Sequence, residues 1–160
     1  MKALDTVIAE TLPENSEQPG RLLALDLGAK RVGVAVSDEL RLTARPLPLL
    51  ERRSWKDLLR QVLAIVETYD ARGLVIGLPL NMDNTRGPAA AEAARLAENF
   101  RRSLNVPVYL QDERLTSAAA GEILKAGGAG PDEVNRLIDS ESAVIILRDF
   151  ITSKESTRGN

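Results

Sequence analysis

The sequence contains neither cysteine nor histidine among its 160 residues. The absence of cysteine excludes disulfide bonds, a thiolate zinc site and a cysteine nucleophile. The absence of histidine excludes a histidine-based triad, a histidine-bound metal and an imidazole general base. Any hydrolytic chemistry must therefore depend on carboxylates, hydroxyl groups, lysine or a metal ion held by oxygen ligands.

The sequence also lacks a hydrophobic run long enough to span a bilayer, and its first twenty residues lack the apolar core of a secretory signal. We therefore expect a cytoplasmic protein with no membrane partner. Positive charge is scarce as well, because the chain carries −2 overall and residues 1–20 carry −3, which leaves +1 for the remainder. This balance argues mildly against a nucleic-acid partner, although bound divalent cations would add positive charge where phosphate binds.

The length of the chain is that of one ordinary domain with its own hydrophobic core. We divide it into an acidic, disordered tail over residues 1–20, one domain over residues 21–152 and a polar C-terminal tail over residues 153–160. The glycine-rich segment 126–131 predicts a mobile loop before the last helix.

Hydrophobic periodicity within the domain predicts three strands followed by alternating helices and strands. This order is typical of an α/β fold with a mixed sheet, which starts antiparallel and continues through parallel βαβ units flanked by helices. Pro46 and Pro48 favour an edge position for the third strand. The predicted elements are strands over residues 21–28, 33–38 and 47–50, a helix capped by Ser54 and ending within 69–73, a strand over 74–78, a helix with a buried stripe from Ala89 to Leu104, a strand over 106–110 and a last helix ending at Ile151.

Three acidic residues occur where the predicted fold could bring them together. Asp26 ends the first strand, Glu113 follows the last strand and Asp139 lies in the last helix. In an open α/β sheet the binding crevice lies at the carboxyl ends of the parallel strands. Ser142 and Ala143 share a helix face with Asp139 and are small enough to let that face approach the sheet.

Each of these acids alone is more often a capping or solvated residue than a functional one. Three converging carboxylates would repel one another, however, and a divalent cation relieves that repulsion. Oxygen ligands without histidine or cysteine suit Mg²⁺ or Mn²⁺ rather than zinc. We therefore predict that Asp26, Glu113 and Asp139 are both metal ligands and catalytic residues.

Four sequence motifs resemble those of the YqgF family, whose members are also called RuvX or Holliday junction resolvase-like proteins. The motifs are LDLGAKRVGVAVSD over residues 25–38, GLPLNMD over 77–83, DERLTS over 112–117 and Ile138-Asp139 before an aliphatic helix. The resemblance covers about residues 21–152 in the same order and spacing. The sequence departs from it at Asn84, where glycine is usual, and at Glu141, where a small residue is usual.

The resemblance implies a ribonuclease-H-like fold and a nuclease that, in bacteria, matures the 5′ end of pre-16S ribosomal RNA. The family carboxylates correspond to Asp26, Glu113 and Asp139. The implied reaction is hydrolysis of a phosphodiester bond by a water molecule that Mg²⁺ or Mn²⁺ activates.

We expect the phosphate contacts of such a nuclease to come from Lys30, Arg31 and Arg114, which lie in or beside the motifs. For Arg114 an ion pair with Asp112 is an equally good interpretation. The sequence is also compatible with a homodimer.

Other functions fit parts of the same pattern. An actin-like or sugar-kinase-like ATPase shares the Asp-x-Gly opening, but such proteins need two domains that close on a nucleotide. A catalytically silent nucleic-acid-binding module could keep the fold, because a fold alone does not imply activity. Branched DNA such as a four-way junction also stays open as the substrate beside pre-ribosomal RNA, since nothing in the sequence indicates contacts to particular bases.

Overall fold

The computed structural model describes residues 20–113 and 131–158, with side chains over residues 20–113 and 140–154. Residues 1–19 of the predicted tail, residues 126–130 of the predicted loop and Arg114 lie outside the described residues. The described elements are β1 (Leu22–Leu27), β2 (Arg31–Ser37), β3 (Ala44–Glu51), α1 (Trp55–Tyr69), β4 (Gly73–Leu78), α2 (Pro88–Ser103), β5 (Val108–Asp112) and α3 (Pro131–Arg158).

The strands form a mixed sheet in the order β3-β2-β1-β4-β5. β1 pairs antiparallel with β2 and parallel with β4, and Leu25 lies opposite both Val34 and Ile76. β2 pairs antiparallel with β3, while β4 pairs in parallel with β5. The predicted antiparallel start and parallel crossovers are confirmed. β3 lies at one edge of the sheet, as its two prolines predicted.

The two faces of the sheet are covered by different helices. Alternation along β1 directs Leu23 and Leu25 into the core that α1 and α2 cover, whereas Leu22 and Ala24 face α3. The α3 face also carries Ala35, and these alanines leave room for a helix to pack closely. The residues of α3 that pack there are Ala143, Val144, Ile146, Leu147 and Phe150.

The predicted N-cap of α1 is confirmed, because the Ser54 hydroxyl accepts a hydrogen bond from the Asp57 N–H at 3.1 Å. The helix ends at Tyr69, within the predicted range. In α2 the buried stripe starts at Ala90 rather than Ala89, which is exposed. This part of the prediction was wrong because the helix turns Ala89, in its first turn, toward solvent.

Several boundaries differ from the predicted ones, and β2 and β3 begin earlier than expected, at Arg31 and Ala44. β5 begins two residues later than expected, after Pro107, which has no N–H for a strand ladder. α3 continues past Ile151 to Arg158, so residues 153–158 are helical rather than a separate tail. The segment after Ile151 lacks apolar periodicity, but no proline or glycine interrupts it before Gly159. Within the described residues, no helix has the apolar length that crossing a membrane requires.

Candidate active site

Asp26 is the second-last residue of β1 and is half-buried. Because side chains alternate along a strand, Asp26 lies on the same face as Leu22 and Ala24, which pack against α3. Its partner in the antiparallel ladder is Gly33, which has no side chain. The carboxylate therefore has space around it on the α3 face of the sheet.

Glu113 directly follows β5 and is only 8% exposed. Its N–H donates to the Leu78 carbonyl at 2.9 Å, which fixes its backbone to the carboxyl end of β4. Its Oε1 atom is buried. The sequence thus places a carboxylate under the protein surface at the end of a parallel strand.

Gly77 in β4 separates the two acids and makes room for them. A Cβ on Gly77 would lie 2.5 Å from Ile146 Cδ1 and 3.6 Å from Glu113 Cγ, so Glu113 lies on the α3 face. Since Leu25 pairs with Ile76, Asp26 lies one step further along, beside Gly77. The structure therefore brings Asp26 and Glu113 to one face of the sheet, at the carboxyl ends of its parallel strands and on either side of a glycine.

The backbone of Asp139 lies in α3, and its side chain is outside the described set. Asp139 precedes Ser140, whose hydroxyl donates to the Leu47 carbonyl at 2.8 Å and anchors that part of the helix to β3. It also stands two helical turns before Ile146, the residue packed against Gly77. Among the side chains that are described, no three acids group closely enough to bind a metal ion. The contribution of Asp139 to a metal site stays a prediction.

Two of the predicted phosphate contacts, Lys30 in the turn between β1 and β2 and Arg31 at the start of β2, are exposed. The Gly28 N–H donates to the Arg31 carbonyl at 2.9 Å, and a Cβ on Gly28 would lie 2.7 Å from that oxygen. Glycine is therefore required there by the close approach of the backbone. Alternation along β2 puts Arg31 on the same face as Ala35, and hence on the face of Asp26.

Arg52 is a residue of this region that the sequence did not indicate. Its Nη1 donates to the Gly28 carbonyl at 2.9 Å, and its backbone N–H donates to the Lys30 carbonyl at 2.9 Å. Its Nη2 forms an ion pair with Glu92 of α2 at 2.5 Å. Arg52 thus ties the turn that carries Lys30 to helix α2. No local motif could have shown this, because its partners are distant in the sequence.

The loop after β4 closes on itself through Asp83. The Asp83 carboxylate accepts the Thr85 hydroxyl at 2.6 Å and the Thr85 N–H at 3.1 Å. These bonds, the hydroxyl first, lower the pKa of Asp83 below its usual value. Asn84 has a φ of 70°, in the left-handed region that glycine adopts without strain and asparagine tolerates. This conformation explains why asparagine can replace the usual glycine of the motif.

The chain matches a family model described as "RuvX: Holliday junction resolvase" over residues 20–153. A curated relative from Roseiflexus sp. (strain RS-1), named as a candidate pre-16S rRNA nuclease, is 36% identical over 139 residues, which cover 87% of this chain and 99% of the relative. A relative of the same name from Lactobacillus johnsonii is 40% identical over 142 residues, which cover 86% of this chain and 97% of the relative.

Two solved structures share the fold at low sequence identity. Thermus thermophilus RuvC in complex with a Holliday junction substrate has a TM-score of 0.56 and 18% identity, with 86% of this chain and 97% of that chain covered. The fowlpox virus resolvase in complex with Holliday junction DNA has a TM-score of 0.50 and 15% identity, with 83% and 97% covered. The likeness confirms the ribonuclease-H-like fold. The predicted resemblance is confirmed as well, because the family model covers residues 20–153. This chain therefore belongs to the RuvX family, also named YqgF.

Proposed function

We propose that this chain is a metal-dependent nuclease that hydrolyses a phosphodiester bond near the 5′ end of pre-16S ribosomal RNA. The observation that supports it is the position of Asp26 and Glu113 on one face at the carboxyl ends of β1 and β5, in a chain whose relatives are named as candidate pre-16S rRNA nucleases. Cleavage of a four-way DNA junction is the second candidate, which the description of the matching family favours.

The donor set suits Mg²⁺ or Mn²⁺. Asp26 and Glu113 offer carboxylate oxygens, and the chain has no histidine or cysteine to favour a softer metal. A carboxylate as buried as Glu113 is costly to keep charged, and a nearby cation offsets that cost. We assign Asp26, Glu113 and Asp139 as the ligands. The bound metal would lower the pKa of a water molecule and stabilise charge on the phosphate.

The residues of the chain have distinct tasks in this reaction. Asp26 and Glu113 sit at the ends of paired strands, so their carboxylates are held in place before the substrate arrives. Lys30 and Arg31 are exposed and would contact phosphates, Arg31 from the same face as Asp26, while Arg52 holds the turn that carries Lys30. The near-neutral charge of the domain suits a few phosphate contacts rather than many, and hence a shallow dependence of affinity on salt.

The proposal is tested with the purified chain and two substrates, an RNA that spans the 5′ processing site of pre-16S ribosomal RNA and a four-way DNA junction. Each is incubated with Mg²⁺, with Mn²⁺ and with a chelator. We expect the RNA to be cut with either metal and to stay intact with the chelator. Cleavage that resists the chelator would contradict the metal assignment. Cleavage of the junction alone would make resolution of branched DNA the function.

A further inference from the structure

A groove of about 390 Å³ lies between strand β5 and helix α3. Its wall includes the half-buried ring of Tyr109, whose centroid lies 4.9 Å from that of Phe150. The exposed ammonium group of Lys154 lies 5.6 Å from the centroid of each ring. The groove therefore combines an aromatic surface with a cation.

The groove leads toward the candidate active site. Tyr109 packs on the α3 face of the sheet, and Gln111, which also lines the groove, follows it on the same face by alternation. Glu113 is the next residue in that series. At about 3.3 Å per residue, Gln111 and Tyr109 lie roughly 7 Å and 13 Å from Glu113 along the chain. A ligand that lies in the groove can therefore extend to the two carboxylates.

Arg101 of α2 closes one side of the groove. Its Nε and Nη2 donate to the Val108 carbonyl at 3.1 and 3.0 Å, and its Nη1 pairs with Glu98 at 2.5 Å. The carbonyl of Val108 is thus already bonded, which disfavours the addition of a peptide strand at this point of β5. Arg101 is paired with Glu98, and Lys154 is the other cation among the described residues that line the groove.

We propose that this groove binds a single-stranded segment of the nucleic-acid substrate next to the cleaved bond. Proteins hold single strands by stacking bases on aromatic rings and by placing cations along the phosphates. Tyr109 provides the ring, Lys154 the cation and Gln111 an amide between them and Glu113. This inference rests on the proposed nuclease function and specifies which feature of the substrate the chain recognises.

The experiment measures binding by fluorescence anisotropy in Ca²⁺, which should support binding without cleavage. The probes are a stem with a single-stranded flank and the same stem without it, each made as RNA and as DNA. We expect the wild-type chain to bind the flanked stem more tightly. Tyr109→Leu should weaken binding of the flanked stem by about tenfold and leave the blunt stem unchanged. Lys154→Gln should reduce the salt slope for the flanked stem by about 0.7.

Lys56→Gln provides a matched control, because Lys56 lines a groove of equal volume, about 390 Å³, on the outer side of α1. It should bind both stems as the wild type does. Tyr109 packs on Phe150, so circular dichroism must show that its variant is folded, and the exposed Lys154 gives an independent variant without that risk.

Equal affinity of the wild-type chain for flanked and blunt stems, in RNA and in DNA, would overturn the proposal. An undiminished preference for the flank in both variants would do the same. A preference seen with one nucleic acid only supports the proposal and identifies that nucleic acid as the ligand. Binding is measured without cleavage, so a negative result leaves the nuclease assignment standing. Failure of the wild-type chain to cut any substrate would count against that assignment instead.

Discussion

The two ends of the sheet both carry acidic residues, but their environments differ. At the end away from the candidate site, Asp38 follows β2 and accepts the N–H groups of Leu42 and Thr43 at 2.7 and 2.8 Å. These bonds, with that from Thr43 first, lower the pKa of its carboxyl group. Asp38 and Asp26 are both half-buried, whereas Glu113, at the Asp26 end, is buried.

The arginines show the same contrast. Around a cleft of about 240 Å³ at the Asp38 end, Arg21 pairs with Glu39 at 3.9 Å and Arg72 pairs with Asp70 at 3.4 Å. The Arg72 pair is exposed on both sides, and such pairs contribute little. At the Asp26 end the Arg52 side chain is 18% exposed and bonds to the backbone of a turn. The burial of Glu113 and of Arg52, rather than the number of charges, thus distinguishes the candidate site.

The strongest test of this contrast compares two aspartates that lie at opposite ends of the sheet. Asp26→Asn should reduce cleavage at least about a thousandfold, because a lost metal ligand removes several kcal/mol of transition-state stabilisation. Folding should persist, since neutralising one of several neighbouring acids relieves repulsion. Asp38→Asn should cleave as the wild type does. Cleavage rates and melting curves of both variants decide the matter, and equal activity in the two would remove Asp26 from the site.

The second prediction concerns the space that Gly77 leaves between the two acids. Gly77→Ala should destabilise the fold by about 1–3 kcal/mol, because its Cβ would overlap Ile146 Cδ1. It should also displace Glu113 and reduce cleavage about a hundredfold, the cost of a shift of about 1 Å at a reacting group. Denaturant unfolding and cleavage rates measure the two effects separately.

The double variant Gly77→Ala/Ile146→Val removes the Cδ1 methyl group that the new Cβ would meet. It should regain much of the stability that Gly77→Ala loses. If it did not, the overlap with α3 would not be the reason that this position is glycine.

The third prediction compares two arginines, one at each end. Arg52→Met should reduce cleavage about 10-fold or more, because partners that orient a site commonly matter by about 10- to 100-fold. The loss of its bond to the Gly28 carbonyl should loosen the turn that carries Lys30 and precedes Arg31. Arg72→Met should leave cleavage unchanged, since its pair with Asp70 is exposed. Similar losses in both variants would indicate a general effect on folding.

The sequence predicted the parts of this site that depend on local pattern and topology. Apolar runs that end in Asp26 and Glu113, together with the rule that parallel strands share their carboxyl ends, predict that these acids meet at one edge. Both now lie on the α3 face beside Gly77. The glycine itself was part of a motif, but its role as a spacer under Ile146 depends on how closely α3 packs.

The role of Arg52 could not be predicted, because a side chain that bonds across 24 residues leaves no mark in the local pattern. The length of α3 was underestimated because the prediction relied on the local apolar pattern alone. Apolar periodicity stops at Ile151, while the helix needs only unbroken backbone bonding to continue to Arg158. Apolar periodicity indicates which face of a helix is buried, so it gives no signal where the helix extends beyond the core.

The smallest expected effect concerns the pKa values of Asp83 and Asp38, whose carboxylates each accept hydrogen bonds within their own loop. Thr85→Val removes the hydroxyl that bonds to Asp83, so the pKa of Asp83 should rise toward the ordinary value of an aspartate, while that of Asp38 stays lowered. When folding lowers the pKa of a carboxyl group, the group stabilises the fold fully at pH values above its pKa in the unfolded state. That contribution is lost as the pH falls through its pKa in the folded state. The variant should therefore be slightly less stable than the wild type near neutral pH, and the difference should vanish below both pKa values. Carboxyl titration by NMR reads both residues in one sample. A shift at Asp38, or none at Asp83, would contradict the independence of the two ends.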